Sequence, residues 1–63
     1  MQHHKYRVEY FDKKVNDFVI YSRHKNQEFA EINAKVLNLL RKCDTRVIHK
    51  GVVVVFLDVG KNK

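Results

Sequence analysis

The sequence predicts an α+β protein: a small antiparallel sheet of ββαββ order with one amphipathic helix packed on one face. Three observations predict this fold, namely an alternating apolar pattern near the N-terminus, a helical periodicity in the middle and a β-branched run near the C-terminus. With 63 residues, the chain is expected to form one domain. Its ordered core is predicted at 5–59, between short polar ends at 1–4 and 60–63.

The first two strands are predicted to form a hairpin. Apolar and charged side chains alternate over residues 5–11, turn-forming side chains follow at 12–17, and a second β-rich run covers 18–23. The sequence allows two hairpin registers, and a slip of one residue moves every side chain to the other face of the sheet. We expect the register that sets Tyr10 opposite Phe18, because it gathers the apolar residues on one side.

A helix is predicted over residues 26–43. Asn26 can cap its first turn, and acidic residues near the start and basic residues near the end match the helix dipole. We expect an apolar stripe with three- and four-residue spacing to face the sheet, with its terminal Cys43 a buried and inert thiol. The stripe consists of Phe29, Ile32, Val36, Leu39, Leu40 and Cys43.

A second hairpin is predicted within residues 45–59. A two-residue turn at 50–51 would set Ile48 opposite Val53 and Val47 opposite Val54. All six residues of 52–57 are apolar, so we expect this strand to lie inside the sheet and to be covered on both faces.

The sheet face away from the helix is the strongest functional clue, because one helix covers only one face. The other face would expose a contiguous apolar patch of several hundred Å², which is more than soluble monomers usually tolerate. A homodimer partner is the favoured cover, and a different protein or stacked single-stranded nucleic acid are the alternatives. The predicted partner or dimer face consists of Phe11, Val19, Tyr21, Val47, Val54 and Phe56.

The charge of the chain favours a polyanionic partner. The formal net charge is +6 and the isoelectric point is about 9.7, although a charge of this size also serves solubility. The outward face of the helix is close to neutral, so a DNA recognition helix is not expected. The candidate contacts to DNA or RNA are Arg7, Lys13, Lys14, Arg23, Lys25, Arg46 and Lys50.

Catalytic and cofactor chemistry have little support in the sequence. Two glycines cannot build a glycine-rich phosphate loop, and the four histidines match no zinc motif. We therefore expect no cofactor, no metal and no enzymatic activity. A small metal-independent ribonuclease that uses His49, Arg46 and Tyr21 is the weakest alternative.

The sequence is best interpreted as a small regulatory protein that binds nucleic acid as a homodimer. The alternative is an inhibitor or adaptor that captures a partner protein through the apolar sheet face. The single Cys43 fits a reducing compartment, so a cytoplasmic location is expected. No membrane contact is expected, because the longest apolar run, 52–57, is far shorter than the roughly 20 residues of a membrane-spanning helix.

Overall fold

The computed structural model describes residues 5–59 and has the predicted α+β fold. Four antiparallel strands lie in the order β2-β1-β3-β4, and one helix packs on one face of the sheet. In chain order the elements are β1 (Tyr6–Asp12), β2 (Asp17–His24), α1 (Gln27–Arg41), β3 (Thr45–His49) and β4 (Val52–Leu57). No helix in this part of the chain is long and apolar enough to cross a membrane. The polar ends predicted at 1–4 and 60–63 lie outside the described residues.

The register of the first hairpin differs from the predicted one. Tyr10 lies opposite Val19 rather than Phe18, because the turn uses the four residues 13–16. Asn16 closes this turn with a left-handed backbone, φ 58°, a conformation that asparagine tolerates better than most residues. Because this turn has an even number of residues, the side chains of residues 18–20 lie on the face of the sheet opposite to the one we predicted.

A β-bulge in β2 changes the register a second time. Tyr21 is the extra residue between two paired segments, and its ring meets the ring of Tyr10 edge-on at 6.2 Å on the helix side of the sheet. Val19 also lies on the helix side, because residues directly opposite each other share a face. Phe18 and Ile20 therefore lie on the face away from the helix.

The second hairpin has the predicted two-residue turn. Both residues of 50–51 have positive φ, 55° and 78°, as a type I′ turn requires. The pairing of Ile48 with Val53 is confirmed, whereas Val47 pairs with Val55 and not with Val54 as predicted. A bulge then leaves Val54 as an extra residue, and the regular alternation of β4 is broken there.

The position of β4 contradicts the expectation that residues 52–57 form an interior strand. β4 is an edge strand, and Val52 and Val53 are exposed. The centre of the sheet is made by β1 and β3, where Val8 and Val47 lie opposite each other and are fully buried beneath the helix. The placement of Val47 on the face away from the helix was therefore wrong.

The helix buries a different face from the one predicted. Its buried residues are Ala30, Ala34 and Leu37, which join the central valines in the core. The apolar stripe that was expected to meet the sheet is instead exposed, at 58% for Phe29, 57% for Ile32, 48% for Val36, 72% for Leu39 and 77% for Leu40.

Side-chain volume explains this choice of helix face. Tyr6, Tyr10 and Leu57 already fill the space above the central strands. The two alanines let the helix backbone approach these large residues closely, which a face of leucine and phenylalanine would prevent at native packing density.

Both ends of the helix are fixed by asparagine side chains. Asn26 caps the first turn, as predicted, by accepting a 3.0 Å hydrogen bond from the backbone N–H of Phe29. The helix ends at Arg41 and Lys42 has φ 51°, so Cys43 lies beyond the helix and is half-buried rather than part of the stripe. Asn38 Nδ2 donates to the carbonyl oxygens of Cys43 at 2.9 Å and of Leu57 and Asp58 at 3.3 and 3.1 Å, which connects the end of α1 to the end of β4.

Candidate nucleic-acid interface

The sheet face away from α1, called the open face below, combines arginine, aromatic and aliphatic side chains. They belong to this face because side chains alternate along each strand and opposed residues share a side. Its members are Arg7, Glu9 and Phe11 of β1, Phe18, Ile20 and Arg23 of β2, Arg46 and Ile48 of β3, and Val53 and Phe56 of β4.

The centre of the open face is a carboxylate held between two guanidinium groups. Glu9 Oε2 lies 2.7 Å from Arg7 Nε, and Glu9 Oε1 lies 2.7 Å from a terminal nitrogen of Arg46. The Glu9 side chain is only 8% exposed, whereas those of Arg7 and Arg46 are 38% and 30% exposed. The trio carries a net charge of +1, and the buried glutamate holds both guanidinium groups in fixed positions facing solvent.

An aromatic layer supports one of these arginines. Arg46 Cζ lies 3.9 Å from the centre of the Phe18 ring, and Phe18 meets Phe11 edge-on at 5.5 Å. A guanidinium plane fixed in this way is a surface on which an unpaired nucleotide base can stack.

A pair of like charges lies next to this trio. Arg23 of β2 is directly opposite Arg7 of β1, and like charges in that position destabilise a sheet. Glu9 neutralises only one of the neighbouring positive charges, so an anion bound over Arg7 and Arg23 would relieve the repulsion.

Lysine residues extend the positive charge beyond both ends of the strands. Lys13 and Lys14 lie in the turn that follows β1. Lys25 and Lys50 lie at the other end, because β2 and β3 end opposite Tyr6 at the start of β1. The predicted nucleic-acid contacts therefore form a positive track along the strands, with arginines in the middle and lysines at the ends.

A cavity of about 520 Å³ lies where this track meets the C-terminal end of α1. Four cationic residues line it, namely Lys13, Lys14, Arg41 and Lys42. Of its two carboxylates, Asp12 accepts a backbone hydrogen bond from Lys14 at 2.9 Å and Asp44 accepts one from Val59 at 3.1 Å. The cavity therefore has an excess of positive charge and suits a phosphate group.

The predicted partner face is only partly reproduced. Phe11 and Phe56 share the open face, whereas Val19, Tyr21 and Val47 lie on the helix side and Val54 sits at the bulge. The open face also contains apolar residues outside the predicted partner face, namely Phe18, Ile20, Ile48 and Val53. Asn16, a residue type that tolerates a left-handed backbone at the end of a turn, is the sequence signal that could have identified the register of the first hairpin.

The residues of the ribonuclease alternative are not brought together. His49 stacks on Tyr6 on the helix side of the sheet, with ring centres 4.2 Å apart and an interplanar angle of 9°. Arg46 lies on the open face, and Tyr21 lies on the helix side at the β2 edge. Among residues 5–59 no three histidine, cysteine, aspartate or glutamate side chains are placed to hold a metal ion.

Comparison with protein-family models, with curated protein sequences and with solved structures finds no match to this chain. The case for the open face therefore rests on its geometry and charge. Within the described residues, this face concentrates fixed arginines and aromatic rings on one surface. It is the candidate interface for an anionic polymer.

Proposed function

We propose that this protein is a non-enzymatic cytoplasmic regulator that binds single-stranded nucleic acid across the open face and acts as a homodimer. The observation that carries the proposal is the arrangement of Arg7 and Arg46 on either side of the buried Glu9, with Arg46 stacked on Phe18. The ion pairs and the ring fix both guanidinium groups before any ligand arrives. A ligand then loses little affinity to side-chain ordering.

The shape of the surface favours a single strand over a duplex. The open face belongs to a sheet, and α1 lies on the other side with no basic face to enter a DNA groove. Single strands bind to sheets through bases stacked on aromatic rings and phosphates paired with basic side chains. Phe56, which is 51% exposed and lies opposite Arg46, offers the ring most accessible for stacking on the open face.

Fluorescence anisotropy with a labelled, mixed-sequence 20-nucleotide RNA or DNA tests the proposal. We expect binding at about 50 mM salt and a steep fall in affinity toward about 200 mM salt, because bound cations are released from the phosphates. Arg23→Gln should weaken binding and reduce the slope of log K against log salt by about 0.7, the value of one phosphate contact on a single strand. Arg23 suits this test because its removal leaves the ion pairs of Glu9 in place.

Lys35→Gln is the matched control, because it also removes one positive charge but lies on the exposed surface of α1. It should bind nearly as well as the wild type. Absence of binding at about 50 mM salt would refute the proposal. Equal effects of Arg23→Gln and Lys35→Gln would show that the open face is not the binding surface.

The edge strand β4 favours a second candidate, a protein-binding inhibitor or adaptor. The outer edge of β4 has no neighbouring strand within residues 5–59, and Val52, Val53 and Val54 are exposed beside it. An extended segment of a partner could add to this edge through backbone hydrogen bonds. A partner captured by the wild type and by Arg23→Gln, but lost in Val54→Lys, would favour this candidate over nucleic acid.

A further inference from the structure

The exposed stripe of α1 is an apolar surface that the open face does not use. Its residues are Phe29, Ile32, Val36, Leu39 and Leu40, each between 48% and 77% exposed. Large apolar patches on a small protein mark interaction surfaces. The helix is anchored to the sheet by its alanine face, so the stripe is left available on a rigid element.

The spacing of the stripe matches another helix with the same spacing. Phe29, Ile32, Val36 and Leu39 are separated by three, four and three residues, which are the a and d positions of a heptad repeat. Side chains at these positions pack as knobs into holes against a neighbouring helix at a shallow crossing angle. A second copy of this chain presents the same pattern and is therefore a complementary occupant.

The charges beside the stripe select an antiparallel arrangement of the two helices. A two-fold axis near Ala34 sets Phe29 opposite Leu39 of the other copy, and Ile32 opposite Val36. Glu28 occupies a g position in the first turn, and Lys42 is the left-handed residue that follows the last helical residue, Arg41. In an antiparallel pair these oppositely charged residues lie at the same end of the interface, and the two-fold axis generates two such pairings.

A parallel arrangement would lack these pairs. Its g positions would face e positions, and those are occupied by the uncharged Asn33 and Leu40. It would also place the two helix dipoles side by side in the same direction. In the antiparallel pair, the symmetry-related Lys35 side chains are the like charges that meet, and their long stems can turn the ammonium groups toward water.

We infer that two copies of this chain associate through antiparallel α1 helices, with Phe29, Ile32, Val36 and Leu39 at the centre and Glu28–Lys42 ion pairs at both ends. The inference rests on the homodimer proposed above and does not depend on nucleic-acid binding. It moves the dimer surface from the sheet to the helix. The open faces of both copies remain available to a ligand.

Sedimentation equilibrium of the pure protein at micromolar to millimolar concentration tests the inference, with circular dichroism to verify that each variant folds. The wild type should dimerise, and Leu39→Lys should give a folded monomer because Leu39 is 72% exposed within one copy. Val15→Lys is the matched control, since Val15 is 56% exposed in the β1–β2 turn, and it should still dimerise. A monomeric wild type, or dimerisation by Leu39→Lys equal to that of Val15→Lys, would overturn the inference.

A charge exchange tests the antiparallel register. Glu28→Lys alone and Lys42→Glu alone each replace two attractive pairs by two repulsive ones, so each should raise the dimer dissociation constant about tenfold or more. The double variant Glu28→Lys with Lys42→Glu restores opposite charges across the interface and should recover most of the lost affinity. If the double variant recovers the dimer affinity while its helix stays less stable than that of the wild type, the two charges must meet between copies and not within one helix. Failure to recover in a folded double variant would contradict this register.

The two proposals fail in different measurements. If the helices pair but the nucleic-acid proposal is wrong, the dimer will form and anisotropy will show no binding. If the dimer instead uses the open face, Leu39→Lys will remain dimeric while Phe56→Lys becomes monomeric, which would reject the helix pairing.

Discussion

Glu9 and Arg46 are joined across the two central strands, with Arg46 Nε donating a 2.8 Å hydrogen bond to Glu9 Oε1. The same oxygen lies 2.7 Å from a terminal nitrogen of Arg46, while the other oxygen faces Arg7. A carboxylate this deeply buried requires charged hydrogen-bonding partners, because burying an unpaired charge is costly. The ion pairs of Glu9 therefore stabilise the centre of the sheet and also hold the arginine side chains of the open face in position.

Replacing Glu9 by alanine should destabilise the protein by about 2 kcal/mol, because two neighbouring guanidinium groups would lose their shared partner. Urea denaturation measures this change in the free energy of unfolding. Glu31→Ala removes a half-buried carboxylate of α1 that accepts a 3.0 Å hydrogen bond from Gln27, and it should cost less than about 1 kcal/mol. Equal losses in both variants would show that the buried ion pairs contribute nothing specific.

Replacing Ala34 by leucine should destabilise the protein by about 1–3 kcal/mol, because Ala34 is fully buried where the helix meets the sheet. Lys13→Leu introduces the same side chain at an exposed position of the β1–β2 turn, away from α1, and should leave thermal stability nearly unchanged. Thermal denaturation of both variants provides the comparison. A stable Ala34→Leu protein would mean that α1 packs on the sheet through a different face.

Replacing Asn38 by alanine should cost about 1–2 kcal/mol and loosen the C-terminal end of β4, because it removes the hydrogen bonds between α1 and the Leu57 and Asp58 carbonyls. Hydrogen exchange of the β4 amides should accelerate selectively. The control is Asn33→Ala, since Asn33 Nδ2 donates only within the helix, to the Phe29 carbonyl at 2.9 Å. Unchanged β4 exchange in Asn38→Ala would contradict this role.

Replacing Val54 by lysine should delay aggregation of the protein. An exposed apolar edge strand is a template for strand pairing between molecules, and a lysine on that edge disfavours it. Thioflavin fluorescence during agitation at neutral pH should show a longer lag phase than for Val15→Lys, which adds the same charge in a turn. If both lysines delay aggregation equally, net charge rather than the β4 edge controls it.

Much of the fold follows from local patterns in the sequence. The alternation in β1, the Asn26 cap and the two-residue turn at 50–51 are decided by neighbouring residues, so the strand and helix order could be predicted. The membership of the open face could be predicted only in part. It depends on the length of the first turn and on the bulge at Tyr21, and both depend on how β2 fits against β1.

The sequence by itself determined the ββαββ order, the position of the helix and the excess of positive charge. Only the tertiary structure decided which faces are buried. The helix periodicity favours burial of the large apolar stripe, but the sheet presents Tyr6 and Tyr10, so the alanine face packs there instead. Local hydrophobicity shows that a residue can be buried, whereas the volume left by its neighbours decides whether it is. Here that volume leaves the stripe from Phe29 to Leu40 exposed.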